Sequence, residues 1–193
     1  MTELMLIVVG AALVNNFVLV QFLGVCPAMS AARRIEGAVG IGLATGLTLT
    51  IASGASYAVD RLVLQRFDVQ QLRLVSFVVV VGLAVQATDL LIRRFSPLLH
   101  RVLGIYIPLV AGNCAVLGVA LLNSGASRSL VAALFYGAGA SLGFALALAL
   151  LAGIRERLEH ADVPSPFRGA SIVFVTAGIL SLAFLGFAGF ARL

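Results

Sequence analysis

The chain has 193 residues, 61% of them hydrophobic and 11% charged, with a mean hydropathy of +1.12. A soluble domain carries about 25% charged residues, so too little polar surface is left here to face water on all sides, and the composition defines an integral membrane protein. The net charge of +5 comes from arginine alone, set in short connections between apolar runs, where it reports membrane orientation and excludes a nucleic-acid reading of the high pI.

A helix needs about 20 apolar residues to cross ~30 Å of hydrocarbon. Six segments qualify: Leu4–Val25, Gly37–Val59, Leu74–Ile92, Val102–Leu122, Leu130–Ile154 and Gly169–Phe190. The expected fold is an all-α membrane protein of six transmembrane helices in a single polytopic domain, residues 1–193, with helices one and four interrupted.

The first segment lacks a basic leader and a clean small-residue cleavage site, so it reads as a retained helix and not a signal peptide. It carries Asn15, Asn16, Gln21 and Gly24 and runs into Cys26 and Pro27. An unpartnered polar side chain in hydrocarbon costs about 1–3 kcal/mol, so this cluster is expected to face protein, water or a cofactor. The second segment is rich in small residues, Gly40, Gly42 and Gly46, which allow close helix packing. The third carries Asp89, a candidate ion-path residue, near its end. Arg93 follows four residues later, and an interfacial ion pair is the favoured reading of that acid.

The fourth segment answers the first with Pro108, Gly112, Asn113 and Cys114. The fifth repeats the small residues of the second at Gly137, Gly139 and Gly143. Between the fifth and sixth lies the one dense polar stretch, residues 153–169, whose charges and Pro164-Ser165-Pro166 turn suit docking of a cytoplasmic partner. Ser-Gly-Ala-Ser occurs at 53–56 and again at 124–127. It lacks the threonine of a covalent flavin site and reads as small residues at helix ends.

The connections after segments one, three and five hold eight arginines, against five on the opposite side. Positive-inside bias then puts the first, third and fifth connections in the cytoplasm and both termini outside, in the periplasm of a bacterium. A shift of 98 residues lays Asn15-Asn16 on Asn113-Cys114, which suggests two repeat halves, about 1–97 and 98–193. Three helices per half would make the halves inverted, an arrangement that places the working site at interrupted helices near the midplane.

Cys26 and Cys114 are the only cysteines, one per half, and form no disulfide framework. Each reads either as a small buried hydrophobe or as a thiolate ligand. An iron–sulfur cluster needs four ligands, so a cluster would require two more from a second chain. Gly24 and Gly112 would permit close backbone approach, and Pro27 and Pro108 would break the helices. Asn15, Asn16 and Asn113 are candidate supports around such a site.

Asn15-Asn16-Phe17-Val18-Leu19, Phe22-Leu23-Gly24-Val25-Cys26-Pro27, Leu103-Gly104-Ile105-Tyr106-Ile107-Pro108-Leu109, Asn113–Ala120, Ile154-Arg155-Glu156-Arg157 and Asp162–Gly169 together resemble the RnfA/NqrE family over essentially the full length. The Asn-Asn-Phe-Val-Leu and Pro-Phe-Arg-Gly wording points to the Rnf branch. The resemblance implies six helices in two inverted halves and a homologous RnfE-like partner of opposite topology. It also implies one [2Fe-2S] cluster within the bacterial inner membrane, held by two cysteines from each chain, with Cys26 and Cys114 at the ligand positions. The complex so implied contains further subunits carrying flavin and iron–sulfur centres. It moves electrons between ferredoxin and NAD, coupled to sodium or proton transport. A secondary transporter or a structural membrane anchor are the alternatives that six apolar helices also allow.

Overall fold

The structure, a computed structural model, describes residues 2–25, 35–67, 70–95, 110–125, 129–162, 164, 167 and 169–190. Every regular element among them is helical. The first apolar segment is α1 (Thr2–Val9), which widens into a π-helical stretch over Gly10–Val14. It breaks at Asn15 and Asn16 and resumes as one turn, α2 (Phe17–Val20). α3 (Ile35–Val59) continues through a second π-helical stretch, Asp60–Leu64. A 3-10 turn at Gln70–Leu72 leads into α4 (Arg73–Phe95). Residues 110 and 111 are helical, 112 and 113 are not, and α5 then runs over Cys114–Gly125. α6 (Leu130–Glu159) and α7 (Ala170–Phe190) follow.

Each of the six expected segments is thus represented by helix. Gly37–Leu64, Arg73–Arg94 and Leu130–Glu159 are long and apolar enough to cross a bilayer, while Leu4–Val20, Cys114–Ser124 and Ala170–Gly186 are shorter apolar helices. Bulky apolar side chains point outward along them, among them Leu43 and Leu47 on α3, Val79 and Leu83 on α4 and Leu142 on α6. Such faces suit lipid tails.

Lipid is as apolar as leucine, so helices associate there through close packing and hydrogen bonds more than through hydrophobic burial. The centre of the fold shows both. α3 lies along α6 with Gly42 against Ala145, Gly46 against Ser141 and Gly54 against Leu134. Residue numbers fall on α6 as they rise on α3, so the two helices run antiparallel. Ser53 Oγ donates to Ala133 O at 2.7 Å within the same seam.

α1 packs on another face of α6 and runs parallel to it. A Cβ on Gly139 would stand 2.8 Å from Val8 Cα, and one on Gly143 would stand 2.9 Å from Ala12 O. Backbone itself limits the approach at both places, so no side chain fits. The glycine runs of the sequence are therefore packing surfaces.

Asp60 begins the second π-helical stretch and is buried, paired with Arg73 at 3.1 Å and accepting from Gln65 Nε2 at 3.1 Å. This pair ties the end of α3 to the start of α4. Nothing in the apolar pattern of the sequence marks it.

Candidate functional site

The two interruptions share one local design. Asn16 has an extended backbone and caps α2, its Oδ1 accepting from Val18 N–H at 3.1 Å. Asn113 does the same for α5, its Oδ1 accepting from Ala115 N–H at 3.0 Å. Both side chains are buried, at 0% and 3% exposure, inside an apolar fold. A capping amide satisfies one of the backbone N–H groups that a helix start leaves without a partner, which is why asparagine and not leucine stands at each break.

A shift of 97 residues lays the two caps on each other, Asn16 on Asn113, whereas the expected shift of 98 lays Asn15 on Asn113. At 97, Gly40, Gly42 and Gly46 also fall on Gly137, Gly139 and Gly143. Asn15 occupies the exposed turn instead, its N–H donating to Gly10 O at 2.7 Å.

After α2 the chain turns through Phe22, which holds a left-handed φ of +54°, and reaches Gly24 at φ +86°. Gly24 N–H donates to Cys114 Sγ at 3.1 Å, a contact between residues 90 apart in sequence. The fit around Gly24 is tight. A Cβ there would lie 3.0 Å from Ala115 Cβ, 3.0 Å from Phe144 Cε2 and 3.1 Å from Asn113 Oδ1. Only glycine meets both the positive φ and the space.

Behind this contact, Phe144 stacks on Phe17 with ring centroids 6.1 Å apart. Asn16 Nδ2 donates to Ala12 O at 3.1 Å and Gly143 O at 2.9 Å, which locks the first break to α6. Ser181 Oγ on α7 donates to Leu19 O at 2.5 Å.

Cys114 is the first residue of α5 and its side chain is exposed. An N–H donated to sulfur at a helix start is the surrounding that metal-bound thiolates use. Gly112 forms the turn just before it and is exposed. Cys26, Pro27 and Pro108 lie outside the described residues. Among the described residues, no three His, Cys, Asp or Glu side chains converge on a metal position.

The remaining candidates separate from this site. Asp89 pairs with Arg93 Nε at 2.9 Å, one helical turn away, as an interfacial ion pair would. Gln21 is an exposed cap of α2. Near the expected docking stretch, Arg155, Glu159, His160, Asp162 and Gly169 line a cleft of about 490 Å³.

Asn123 was not singled out by the sequence. It is buried on α5, and its Nδ2 donates to Ser53 Oγ at 2.8 Å and Ser53 O at 3.3 Å. Its signal was available: a lone amide within an apolar run, facing Ser53 of the first Ser-Gly-Ala-Ser. That motif proves to be a polar rivet joining α3, α5 and α6.

Apolar outer faces, glycine-packed helices and two amide-capped breaks joined by a hydrogen bond to the Cys114 sulfur define a helical membrane protein. The chain belongs to the Rnf-Nqr subunit family of membrane proteins, whose family profile matches residues 4–191. It is 55% identical over 193 residues to a protein of Alkalilimnicola ehrlichii, and 50% identical over 192 residues to one of Vibrio vulnificus strain YJ016. A protein of Vibrio cholerae strain N16961 is 50% identical over 193 residues. Each alignment covers 100% of both chains. All three relatives are named as the same component of an ion-translocating oxidoreductase complex, which agrees with the Rnf branch of the family expected from the motifs.

Proposed function

We propose that this chain is a membrane subunit of a redox-driven ion pump, and that it supplies two of the four thiolates of a [2Fe-2S] cluster through Cys26 and Cys114. The other two come from a homologous, RnfE-like subunit of opposite topology. The observation that carries the reading is the hydrogen bond from Gly24 N–H to Cys114 Sγ. It joins the two broken helices at sulfur, and Gly24 stands two residues before Cys26. Two peptide units span no more than about 7 Å, so on this reading both thiols serve one place.

The residues around that contact suit the role. When bound, such a cluster takes up and passes on one electron at a time. The chain's own part is to hold sulfur in a fixed setting. Gly24 donates its N–H and leaves room for close approach, Asn113 fixes the start of α5, and Asn16 with Gly143 fixes the other break against α6. Gly112 forms the turn just before Cys114.

Six membrane helices in two inverted halves are supported by the antiparallel run of α3 along α6, which occupy matching places in the 97-residue register, and by the matching caps at Asn16 and Asn113. Ion translocation driven by a redox reaction is supported by the names of the relatives, while ferredoxin and NAD as the electron partners and sodium or protons as the ion rest on the resemblance of the motifs. The arginine balance supports an orientation with both termini outside, the periplasmic side of a bacterial inner membrane.

The test is an EPR spectrum of the dithionite-reduced chain co-purified with its homologous partner. A [2Fe-2S] signal that disappears in both Cys26→Ala and Cys114→Ala, while the helical circular dichroism stays unchanged, is the expected result. A full signal in either variant refutes the ligand assignment.

A further inference from the structure

Gln21 and Phe22 make the turn between α2 and Gly24, and both are exposed, Phe22 to 51%. The chain around them is pinned inward. The N–H groups of Gln21 and Leu23 both donate to Phe17 O at 3.2 Å, and Gly24 is buried. Leu23 packs over Gly118 of α5, where an added Cβ would meet its Cδ1 at 2.6 Å. Phe22 holds φ +54° between these fixed points, a backbone state that a phenylalanine keeps only at a cost and that clusters at functional surfaces.

Depth makes this exposure informative. A Cβ on Gly24 would stand 3.0 Å from Phe144 Cε2, and Phe144 lies near the middle of the apolar run Leu130–Ile154. Three residues span at most about 10 Å, and hydrocarbon reaches ~15 Å from the midplane, so Gln21 and Phe22 lie at hydrocarbon depth. The Gln21 carboxamide makes no hydrogen bond among the described residues, and acyl tails offer it none. An exposed amide at that depth is satisfied by another protein.

Cys114 gives the identity of that protein. Its exposed sulfur accepts from Gly24 N–H at 3.1 Å, which places the Phe22 backbone within about 10–12 Å of it. An ordinary interface covers about 800 Å² on each partner, a disc ~16 Å in radius. Any subunit that brings its own thiolates to Cys114 therefore also covers Gln21 and Phe22.

We infer that Gln21 and Phe22 are docking residues for the homologous partner subunit, Phe22 entering an apolar hollow on it and Gln21 pairing with a polar group beside that hollow. The inference rests on the shared-cluster reading and adds to it where on this chain the partner sits and what its surface offers.

The test uses membranes that hold the complete complex. With p-benzoylphenylalanine placed at position 22, irradiation should cross-link this chain to the homologous subunit, identified by mass spectrometry of the product. Cross-links to lipid alone, to a second copy of this chain or to a different subunit overturn the proposal. Phe22→Gly then separates docking from folding. Glycine takes φ +54° without strain, so the isolated chain should unfold in SDS no more easily than the unsubstituted one, while the dissociation constant of the purified pair rises about tenfold. Gln21→Leu, which suits lipid better, should raise it about threefold. An unchanged dissociation constant in either variant overturns the proposal. EPR of the unsubstituted pair reads the underlying claim separately. A partner cross-link without a cluster refutes the shared cluster and leaves the docking surface standing, whereas a cluster without the cross-link refutes the docking surface alone.

Discussion

Replacing Gly24 by alanine is the sharpest test of how the two broken helices meet. At φ +86° an L-residue with a Cβ loses about 1–2 kcal/mol relative to its preferred conformations. The added methyl also meets Ala115 Cβ and Phe144 Cε2 at 3.0 Å and Asn113 Oδ1 at 3.1 Å. Phe144 is stacked on Phe17, and Asn113 is held by its cap, so neither yields easily. Overpacking of this kind adds about 1–3 kcal/mol. The sum is about 2–5 kcal/mol, and any relaxation that lowers it must move Gly24 N–H off Cys114 Sγ. Unfolding by SDS in mixed micelles, followed by far-UV circular dichroism, reads the stability. Gly82→Ala is the reference, because nothing lies within 4 Å of its Cβ position and alanine suits an exposed helix site on α4. Gly82→Ala is expected to be neutral or stabilising. If Gly24→Ala unfolds within about 0.5 kcal/mol of the unsubstituted protein, the geometry argued for this contact is wrong.

The same assay checks the packing of α1 on α6. Gly139→Ala would place a methyl 2.8 Å from Val8 Cα and 2.8 Å from Val8 O, where only backbone movement gives relief, so a loss of about 1–3 kcal/mol is expected. Equal stability would mean that α1 does not lie that close. Asn16→Ala removes a cap worth about 1 kcal/mol and an interhelical hydrogen bond worth about 0.6 kcal/mol in a membrane protein. A total near 2 kcal/mol is expected, and Asn16→Ser should recover the capping share. If serine and alanine behave alike, the cap is not what the residue contributes.

Much of this was legible in the sequence because a bilayer constrains helices so strongly. Each of the six apolar runs contains helix, since length and hydropathy alone decide which stretches satisfy their backbone in hydrocarbon. The amides at Asn16 and Asn113 and the glycine at Gly24 stood out for the same reason, as residues an apolar run has no use for. Less legible was which of two adjacent amides does the work. Asn16 is buried and caps α2 while Asn15 lies in the exposed turn, and residue identity does not show which amide has turned inward. The Asn123–Ser53 rivet and the Asp60–Arg73 pair were missed because each joins residues distant in sequence or lying at a segment's edge. The left-handed Phe22 has no sequence signal, since positive φ is ordinarily the province of glycine and asparagine.

The central claim is that one cluster is shared between this chain and a homologous partner. Native mass spectrometry of the pair, purified without oxygen and released intact from detergent, measures that directly. The account predicts a mass excess of two irons and two sulfides on the pair, absent from this chain alone and absent from the pair carrying Cys114→Ala. The same excess on this chain without its partner, or no excess on the intact pair, would contradict it.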